Sequence, residues 1–199
     1  MEIKEANGTI FIEGKVITAL DTFVASIADS IEEYTNYVIV SGYVAILFGR
    51  ARGTEDIDLL VRQIDRDTFH RLFENLTRRG YYFLNSPNEG ELYSLLRDGL
   101  CVRIAKEEKI IPNIEMKFGK NSIDHYALDH RRSVEFDGMR LFTSPFELQI
   151  AYKLFLGSDK DIEDAVYLWE IFREILDRNL LQVCTGKLAV TGEPYGIGI

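Results

Sequence analysis

The sequence predicts an α/β domain in which helices flank a mixed β-sheet, with a small helical part at the C-terminus. The 199 residues are 46% hydrophobic and 28% charged, which is typical of soluble globular domains and excludes the disordered and low-complexity classes. Short apolar runs alternate with amphipathic stretches along the chain, which is the pattern of layered α/β and α+β folds. No internal repeat is present, so solenoid architectures are excluded as well.

Three strands and three helices are predicted in the first 80 residues. Residues 9–13 alternate in hydrophobicity as an edge strand does, whereas residues 37–40 form a continuous apolar run typical of a buried strand. The helices carry apolar residues at helical spacing, and the third begins at Asp65, a favoured N-cap residue. In order, we expect a strand at 9–13, a helix over 17–31, a strand at 37–40, a short helix at 43–48, a strand at 54–61 and a helix over 65–79.

Five strands and two helices are predicted in the rest of the chain. Asp137-Gly138 is a strong hairpin signal that joins the last two strands. The first helix starts at Ser144-Pro145, because serine caps helices and proline suits their first turn. The strands are expected at 81–84, 100–105, 114–118, 133–136 and 139–142, and the helices at 144–156 and 161–176.

The last 14 residues hold four glycines and show no clear period, which favours a loose tail. We therefore divide the chain into an α/β core over 1–143, C-terminal helices over 144–180 that pack on the core, and a loose tail over 181–199.

Charge, cysteine content and hydropathy exclude several classes of protein. A formal net charge of −9 argues against a general nucleic-acid binder, which needs an excess of Lys and Arg to neutralise phosphates. Cys101 and Cys184 lack CxxC spacing and predict neither a zinc site nor a disulfide framework. The first residues do not have the pattern of a signal peptide, and no apolar run approaches the roughly 18 residues of a membrane span. We expect a cytoplasmic protein that does not contact the membrane.

Asp56 and Asp58 are the first candidate site residues. They stand two apart on a predicted strand, so both side chains leave the same face, with α-carbons about 6.6 Å apart. Two carboxylates in this arrangement repel each other unless a cation lies between them. Hard oxygen ligands of this kind suit Mg²⁺, whose remaining positions go to water and to substrate phosphates.

Ser41 and Gly42 are the second candidate. They follow a buried strand and open a helix, where free backbone amides favour a phosphate and glycine permits a close approach. A phosphate-binding turn and an acidic pair, joined by one short helix, predict a site for a nucleoside triphosphate with Mg²⁺ or Mn²⁺.

Ser41-Gly42 is followed after 13 residues by Asp56-Ile57-Asp58, and this spacing resembles the nucleotidyltransferase superfamily of the DNA polymerase β type. Ser41 stands where the first glycine of that signature usually stands, and a positive φ there would strain a serine. The run from Arg52 through Thr54 to Asp58, with Lys153 and the run 160–164, resembles more specifically the small prokaryotic nucleotidyltransferase-like proteins related to abortive-infection toxins. The resemblance covers roughly residues 37–172.

The resemblance implies roles for further residues. Arg52, Thr54, Lys153 and Asp161 would lie at the nucleotide with Ser41 and Gly42, and a third carboxylate would complete the metal site. Our candidate for that carboxylate is Glu115, a polar residue in an otherwise apolar strand, and Asp124 is the fallback. The residues themselves leave alternatives open. Arg52 could equally be an ordinary surface cation, and Lys153 could be a lysine whose ammonium reaches the surface. Asp161 could simply cap a helix, and Asp164 could be a solvated acid.

The resemblance implies transfer of a nucleoside monophosphate from a triphosphate, with Mg²⁺ or Mn²⁺, to an unidentified acceptor. The acceptor would be a small molecule, a protein or a tRNA end. A toxin-type role, with a cognate antitoxin or a homo-oligomer, is part of the same expectation. The alternative is a non-catalytic nucleotide-binding or protein-interaction module on the same fold. A phosphohydrolase is less favoured, because no histidine accompanies the acids.

Overall fold

Nine strands form one mixed sheet within residues 1–198, the part of the chain that the computed structural model describes. Their order across the sheet is β1-β2-β8-β9-β3-β4-β7-β6-β5. In chain order the strands are β1 (Glu2–Ala6), β2 (Thr9–Glu13), β3 (Tyr37–Ile39), β4 (Asp56–Val61), β5 (Tyr81–Phe83), β6 (Val102–Lys106), β7 (Asn113–Phe118), β8 (Arg132–Phe136) and β9 (Met139–Thr143). The predicted fold class is confirmed.

Eight α-helices and one 3₁₀ turn accompany the sheet in the same residues. Thr18 caps the first helix in a reciprocal capping box with Asp21, and Asp65 caps the third by accepting from the amide of Thr68, as its residue type predicts. The helices are α1 (Ala19–Glu32), α2 (Gly42–Leu47), α3 (Arg66–Arg78), α4 (Glu89–Asp98), α5 (Ser122–Asp129), α6 (Phe146–Leu156), α7 (Asp159–Phe172) and α8 (Arg178–Leu188), and the 3₁₀ turn is Glu193–Tyr195.

β4 lies near the middle of the sheet, antiparallel to β3 and parallel to β7. Because side chains alternate along a strand, Ile57, Leu59 and Val61 enter the large core with apolar residues of α1, α3 and α4. Asp56 and Asp58 therefore leave the opposite face of the sheet. We call this side of the sheet the front face. It also carries the residues of β7 that pair with Asp56, Asp58 and Leu60, which are Asn113, Glu115 and Lys117.

A second and smaller apolar cluster covers one end of the front face. It joins Val38 of β3 to Leu128 of α5, Leu148 of α6 and Cys184 of α8. Val38 pairs with Leu60 in the antiparallel register, so the covered end is the one farther along β4 from Asp56. The carboxylate end of the face is left open to ligands.

The expectation of a loose tail from residue 181 is wrong. α8 covers Arg178–Leu188, with Leu181, Cys184 and Thr185 buried, and Ile197 is buried as well. The glycine content misled the prediction, because Gly186 lies on the exposed side of α8, where the structure leaves open space around its α-carbon.

Three further elements, β1, α4 and α5, are absent from the prediction. α4 and α5 bury only two residues each, so their apolar period is weak. α7 begins at Asp159, two residues before the predicted start, and ends at Phe172, four residues before the predicted end. The division into a core and C-terminal helices stays a prediction. Between residues 1 and 198, no helix has both the length and the apolar character needed to cross a membrane.

Candidate active site

Asp56 and Asp58 occupy the first and third positions of β4 and share the front face. Asp56 is exposed, whereas 34% of the Asp58 side chain is exposed. The Thr54 hydroxyl donates to the backbone carbonyl of Asp56 at 2.7 Å. Thr54 therefore fixes the start of the strand.

The electrostatics of Asp58 favour a nearby cation. Burial raises the pKa of its carboxyl, the Lys117 ammonium acts against this, and the neighbouring Glu115 and Asp56 carboxylates raise the pKa further. The raised pKa means that the ionised form is disfavoured by its surroundings. A bound divalent cation would relieve this unfavourable interaction.

The turn at Ser41 has a backbone geometry that L-residues rarely adopt. Its φ is 65° and its ψ is −140°, so the strain that the sequence predicts for serine at this position is present. The Ser41 carbonyl accepts from the Gln149 amide at 2.7 Å, and Gln149 in turn accepts from the Ser144 hydroxyl at 2.9 Å. The start of α6 thus holds the turn in place.

Gly42 is a position where a side chain would crowd the guanidinium of Arg52. A β-carbon there would lie 3.0–3.1 Å from the guanidinium atoms of Arg52, which is closer than nearly all real contacts. The absence of a side chain lets Arg52 pack directly on the backbone of the turn. Arg52 is thereby placed beside Ser41 and Gly42.

Glu115 is paired with Asp58 in the register of β7 on β4, so the two carboxylates share the front face. Its carboxylate is already engaged: Arg103 donates to it at 2.7–2.8 Å, and the Lys117 ammonium lies 3.9 Å away. The Lys117 ammonium also lies 3.7 Å from the Asp58 carboxylate. Glu115 is near the acidic pair but is not a free carboxylate.

The fallback acid, Asp124, serves the backbone. Its carboxylate accepts from the amide of Lys120 at 2.9 Å and completes the capping box of α5 with Asn121. Asp124 lines the same cavity as Asp58, but its carboxylate oxygens are used by the backbone at the start of α5.

A buried group of charges joins the loop before β4 to α6 and α7. The fully buried carboxylate of Asp164 pairs with the guanidinium groups of Arg50 and Arg52. The Lys153 ammonium lies 2.9 Å from the same carboxylate and 2.6 Å from Asp161. We call these five residues the Asp164 cluster.

The Asp164 cluster excludes two of the alternatives that the sequence leaves open. Asp164 is not a solvated acid, since none of its side chain is exposed. Lys153 does not reach the surface, since only 2% of its side chain is exposed. The structure does bring Lys153 and Asp161 together, and it connects them to Arg52 through Asp164. Asp161 also accepts from Ser158, so it is both a helix-start residue and a partner of Lys153.

A cavity of about 320 Å³ opens beside Ser41 and Asp58. Lys117 lines it on the sheet, and its other walls come from α5 and α6, including Ile123, Leu148 and Tyr152. The lining combines charged and polar side chains with a larger apolar surface. Such a mixture is common in small-molecule sites.

The residues present fit a divalent cation held by few protein ligands. Asp56 offers an exposed carboxylate that has no hydrogen-bond or ion-pair partner among residues 1–198, and Asp58 lies two positions further on the same face. Oxygen donors of this kind suit Mg²⁺ or Mn²⁺, which keep several positions for water and phosphate. Over the described residues, no three His, Cys, Asp or Glu side chains lie close enough to hold a metal by themselves.

Comparison with known proteins finds the same fold. An antigenic nucleotidyltransferase-like protein from Paracoccidioides brasiliensis superposes with a TM-score of 0.52 at 16% identity, over 83% of this chain and 85% of that one. The antibiotic-resistance factor ANT(2'')-Ia, in complex with adenylyl-2''-tobramycin, superposes with a TM-score of 0.51 at 14% identity, over 88% of this chain and 97% of that one. No family model and no curated protein matches the sequence. The chain has the nucleotidyltransferase fold, which confirms the resemblance at the level of structure.

Sequence reasoning missed Lys117, Arg103 and Asp164 as partners of the candidate residues. Two of them left a signal in the sequence. Lys117 stands two residues after Glu115 on one strand, and Asp164 stands three after Asp161 on one helix, so each pair shares a face. Arg103 left no such signal, because only the register of β6 on β7 puts it beside Glu115.

Proposed function

We propose that this chain is a divalent-metal-dependent nucleotidyltransferase that moves a nucleoside monophosphate from a nucleoside triphosphate to an acceptor. The observation that carries the proposal is the position of Asp56 and Asp58 on one open sheet face, next to the Ser41-Gly42 turn. This arrangement occurs in a chain that has the fold of nucleotidyltransferases. Neither feature alone would specify the reaction.

In this proposal Asp56 and Asp58 hold Mg²⁺ or Mn²⁺. When bound, the metal would neutralise charge on the triphosphate and at the α-phosphorus. The backbone of Ser41 and Gly42 would bind phosphate oxygens, and Arg52, which packs on Gly42, supplies a positive charge at the same turn. Thr54 acts indirectly, by fixing the start of β4.

The transfer itself is a displacement at phosphorus. The acceptor oxygen forms a bond to the α-phosphorus, the bond to the bridging oxygen breaks, and pyrophosphate leaves with that electron pair. The acceptor proton passes to a carboxylate of the front face. Catalysis by this chain would consist mainly of positioning and charge neutralisation.

Lys153 and Asp161 support the phosphate end of the site through the Asp164 cluster. Asp164 of α7 forms ion pairs with both Arg52 and Lys153 of α6. The orientation of Arg52 therefore depends on the positions of α6 and α7. The proposed role of these residues is to position Arg52.

The lining of the cavity bears on the class of the acceptor. ANT(2'')-Ia is described in complex with adenylyl-2''-tobramycin. The lining of the cavity beside Asp58 is more apolar than polar, and its charged members are two acids and two lysines, Asp58, Asp124, Lys117 and Lys120. The acceptor in this proposal is therefore still a small molecule, a protein or a tRNA end. A toxin-type role and a cognate antitoxin stay predictions from the sequence resemblance.

The test is incubation of the purified chain with each α-³²P-labelled triphosphate and Mg²⁺ or Mn²⁺, first alone and then with a cell extract. We expect label on one class of acceptor, and loss of at least 10²-fold in rate for Asp58→Asn. The matched control is Asp137→Asn, which removes the same charge from the β8–β9 hairpin and should transfer normally. Equal labelling by Asp58→Asn and the wild type would overturn the proposal.

The alternative is a nucleotide-binding module without turnover, and the ion pairs that engage Glu115 favour it. Calorimetry separates the two. Metal-dependent triphosphate binding, lost in Asp58→Asn but never accompanied by labelled acceptor under any triphosphate, would establish the alternative.

A further inference from the structure

Lys117 lies on the front face of β7, one side-chain position from Glu115 and opposite Leu60 of β4. Its ammonium is 3.7 Å from the Asp58 carboxylate and 3.9 Å from the Glu115 carboxylate. The strand register places the backbone of Lys117 beside these acids, and its side chain, 39% exposed, reaches both of them. Lys117 therefore lies among the carboxylates of the front face.

The two acids that Lys117 contacts need positive charge. Asp58 and Glu115 are register partners on adjacent strands, and like charges in that position destabilise a sheet. Only 12% of the Glu115 side chain is exposed, so water screens it weakly. Arg103 balances Glu115 from the other side, on β6, and Lys117 is the cation that Asp58 and Glu115 share.

A divalent ion shared by Asp58 and Glu115 would need oxygens at about 2.0–2.1 Å from one metal centre. The ammonium stands between the same two carboxylates at nearly twice that distance from each. Asp56, in contrast, makes no ion pair within residues 1–198, although the charge of Arg103 acts on it from a longer distance, and its register partner on β7 is the neutral Asn113. The front face therefore has two places for a cation. Lys117 occupies the one between Asp58 and Glu115, and the one at Asp56 is open.

We propose that Lys117 is a resident cation that takes the place of a second divalent ion, so that the site binds a single divalent ion at Asp56 and Asp58. This inference rests on the proposed function for the identity of the metal site. Glu115 is then a positioning residue, which holds Lys117 and Arg103, and it is not a metal ligand. The reaction would use one metal and one ammonium group on this face.

The experiment counts bound Mn²⁺ directly, with Mn²⁺ alone as the probe. The electron paramagnetic resonance signal of free Mn²⁺ is titrated against the wild type, Lys117→Met and Lys120→Met. Lys120 lines the same cavity, but its ammonium donates to the Asp98 carbonyl at 2.6 Å and does not contact the acids. We expect one ion per chain for the wild type and for Lys120→Met, and two for Lys117→Met.

A charge-preserving variant and a stability measurement complete the test. Lys117→Arg should keep the count at one ion, and its thermal midpoint should match the wild type. Without metal, Lys117→Met should melt at a lower temperature than Lys120→Met, and added Mn²⁺ should restore more of its midpoint than it adds to the wild type.

Two results would overturn the inference: two ions on the wild type, or the same count for Lys117→Met as for the wild type. Failure of the proposed function looks different. If the wild type binds no Mn²⁺ while Lys117→Met binds one ion, the proposed metal site at Asp56 and Asp58 is wrong and Lys117 still occupies a cation position.

Discussion

Ser41 holds a backbone conformation, φ 65° and ψ −140°, that costs an L-residue about 1–3 kcal/mol and costs glycine far less. We predict that Ser41→Gly raises the free energy of unfolding by about 1 kcal/mol, the remainder being lost to the greater chain entropy of glycine in the unfolded state. Urea denaturation measures the change. Ser41→Ala keeps the strain and should bring no gain, so equal stability of the two variants would contradict the prediction.

Asp21 links the start of α1 to the residue that follows Gly42. Its buried carboxylate accepts from the Tyr43 hydroxyl at 2.8 Å, from the Thr18 backbone at 2.9 Å, and pairs with Lys15 at 3.1 Å. Burial by itself raises the pKa of this carboxyl, but the hydrogen bonds from Thr18 and Tyr43 and the charge of Lys15 outweigh burial, and the pKa lies below 3.8.

A carboxyl whose pKa is lower in the folded state binds fewer protons there than in the unfolded chain. Its contribution to stability is therefore complete above 3.8, the ordinary value, and is lost as the pH falls through the lowered pKa. We predict that Asp21→Asn lowers the thermal midpoint at pH 7 and that the difference from the wild type shrinks below pH 3.8. A difference that is constant from pH 7 to the acid limit would show that the charge of Asp21 contributes nothing.

At the scale of elements, the Asp164 cluster ties α7 to α6 and to the loop before β4. Removing one partner of a buried ion group leaves the others uncompensated and typically costs 3–5 kcal/mol. We predict a loss of about 3 kcal/mol for Asp164→Asn, measured by urea denaturation. Glu163, its neighbour on α7, pairs with the same Arg50 but is 67% exposed, so Glu163→Gln should change stability by less than about 1 kcal/mol. Equal losses in both variants would show that burial of the acid is not the cause.

The same scale shows what the sequence can predict. β3, β4 and α3 were predictable within two residues, because each has a strong apolar pattern and a clear start or end signal. The same-face placement of Asp56 and Asp58 follows from their spacing alone. The pairing of Glu115 with Arg103, and of Arg52 with Asp164, required the order of β4, β7 and β6 and the packing of α7, and no local pattern encodes these long-range contacts.

At the scale of the whole molecule, the net charge of −9 says little about the site, because the candidate residues are organised as local balances of charge. On the front face, Arg103 and Lys117 offset Asp58 and Glu115. In the Asp164 cluster, three cations surround Asp164. Within residues 1–198, the exposed carboxylate of Asp56 is the exception, because it makes no hydrogen bond or ion pair.

The C-terminal helix α8 belongs to the packed structure. Leu181 is fully buried in the large core cluster, and the amide of Asp177, just before α8, donates to the buried Glu147 carboxylate at 2.9 Å. Truncation of a buried leucine to alanine costs about 2–5 kcal/mol, so we predict a loss of at least about 2 kcal/mol for Leu181→Ala, with a single unfolding transition. Val183, two residues on, is 52% exposed, and Val183→Ala should stay within about 0.5 kcal/mol of the wild type. In a loose tail, as the glycine content suggests, neither substitution would change the free energy of unfolding. Denaturant titrations that show a loss for Leu181→Ala and none for Val183→Ala would therefore indicate a packed helix.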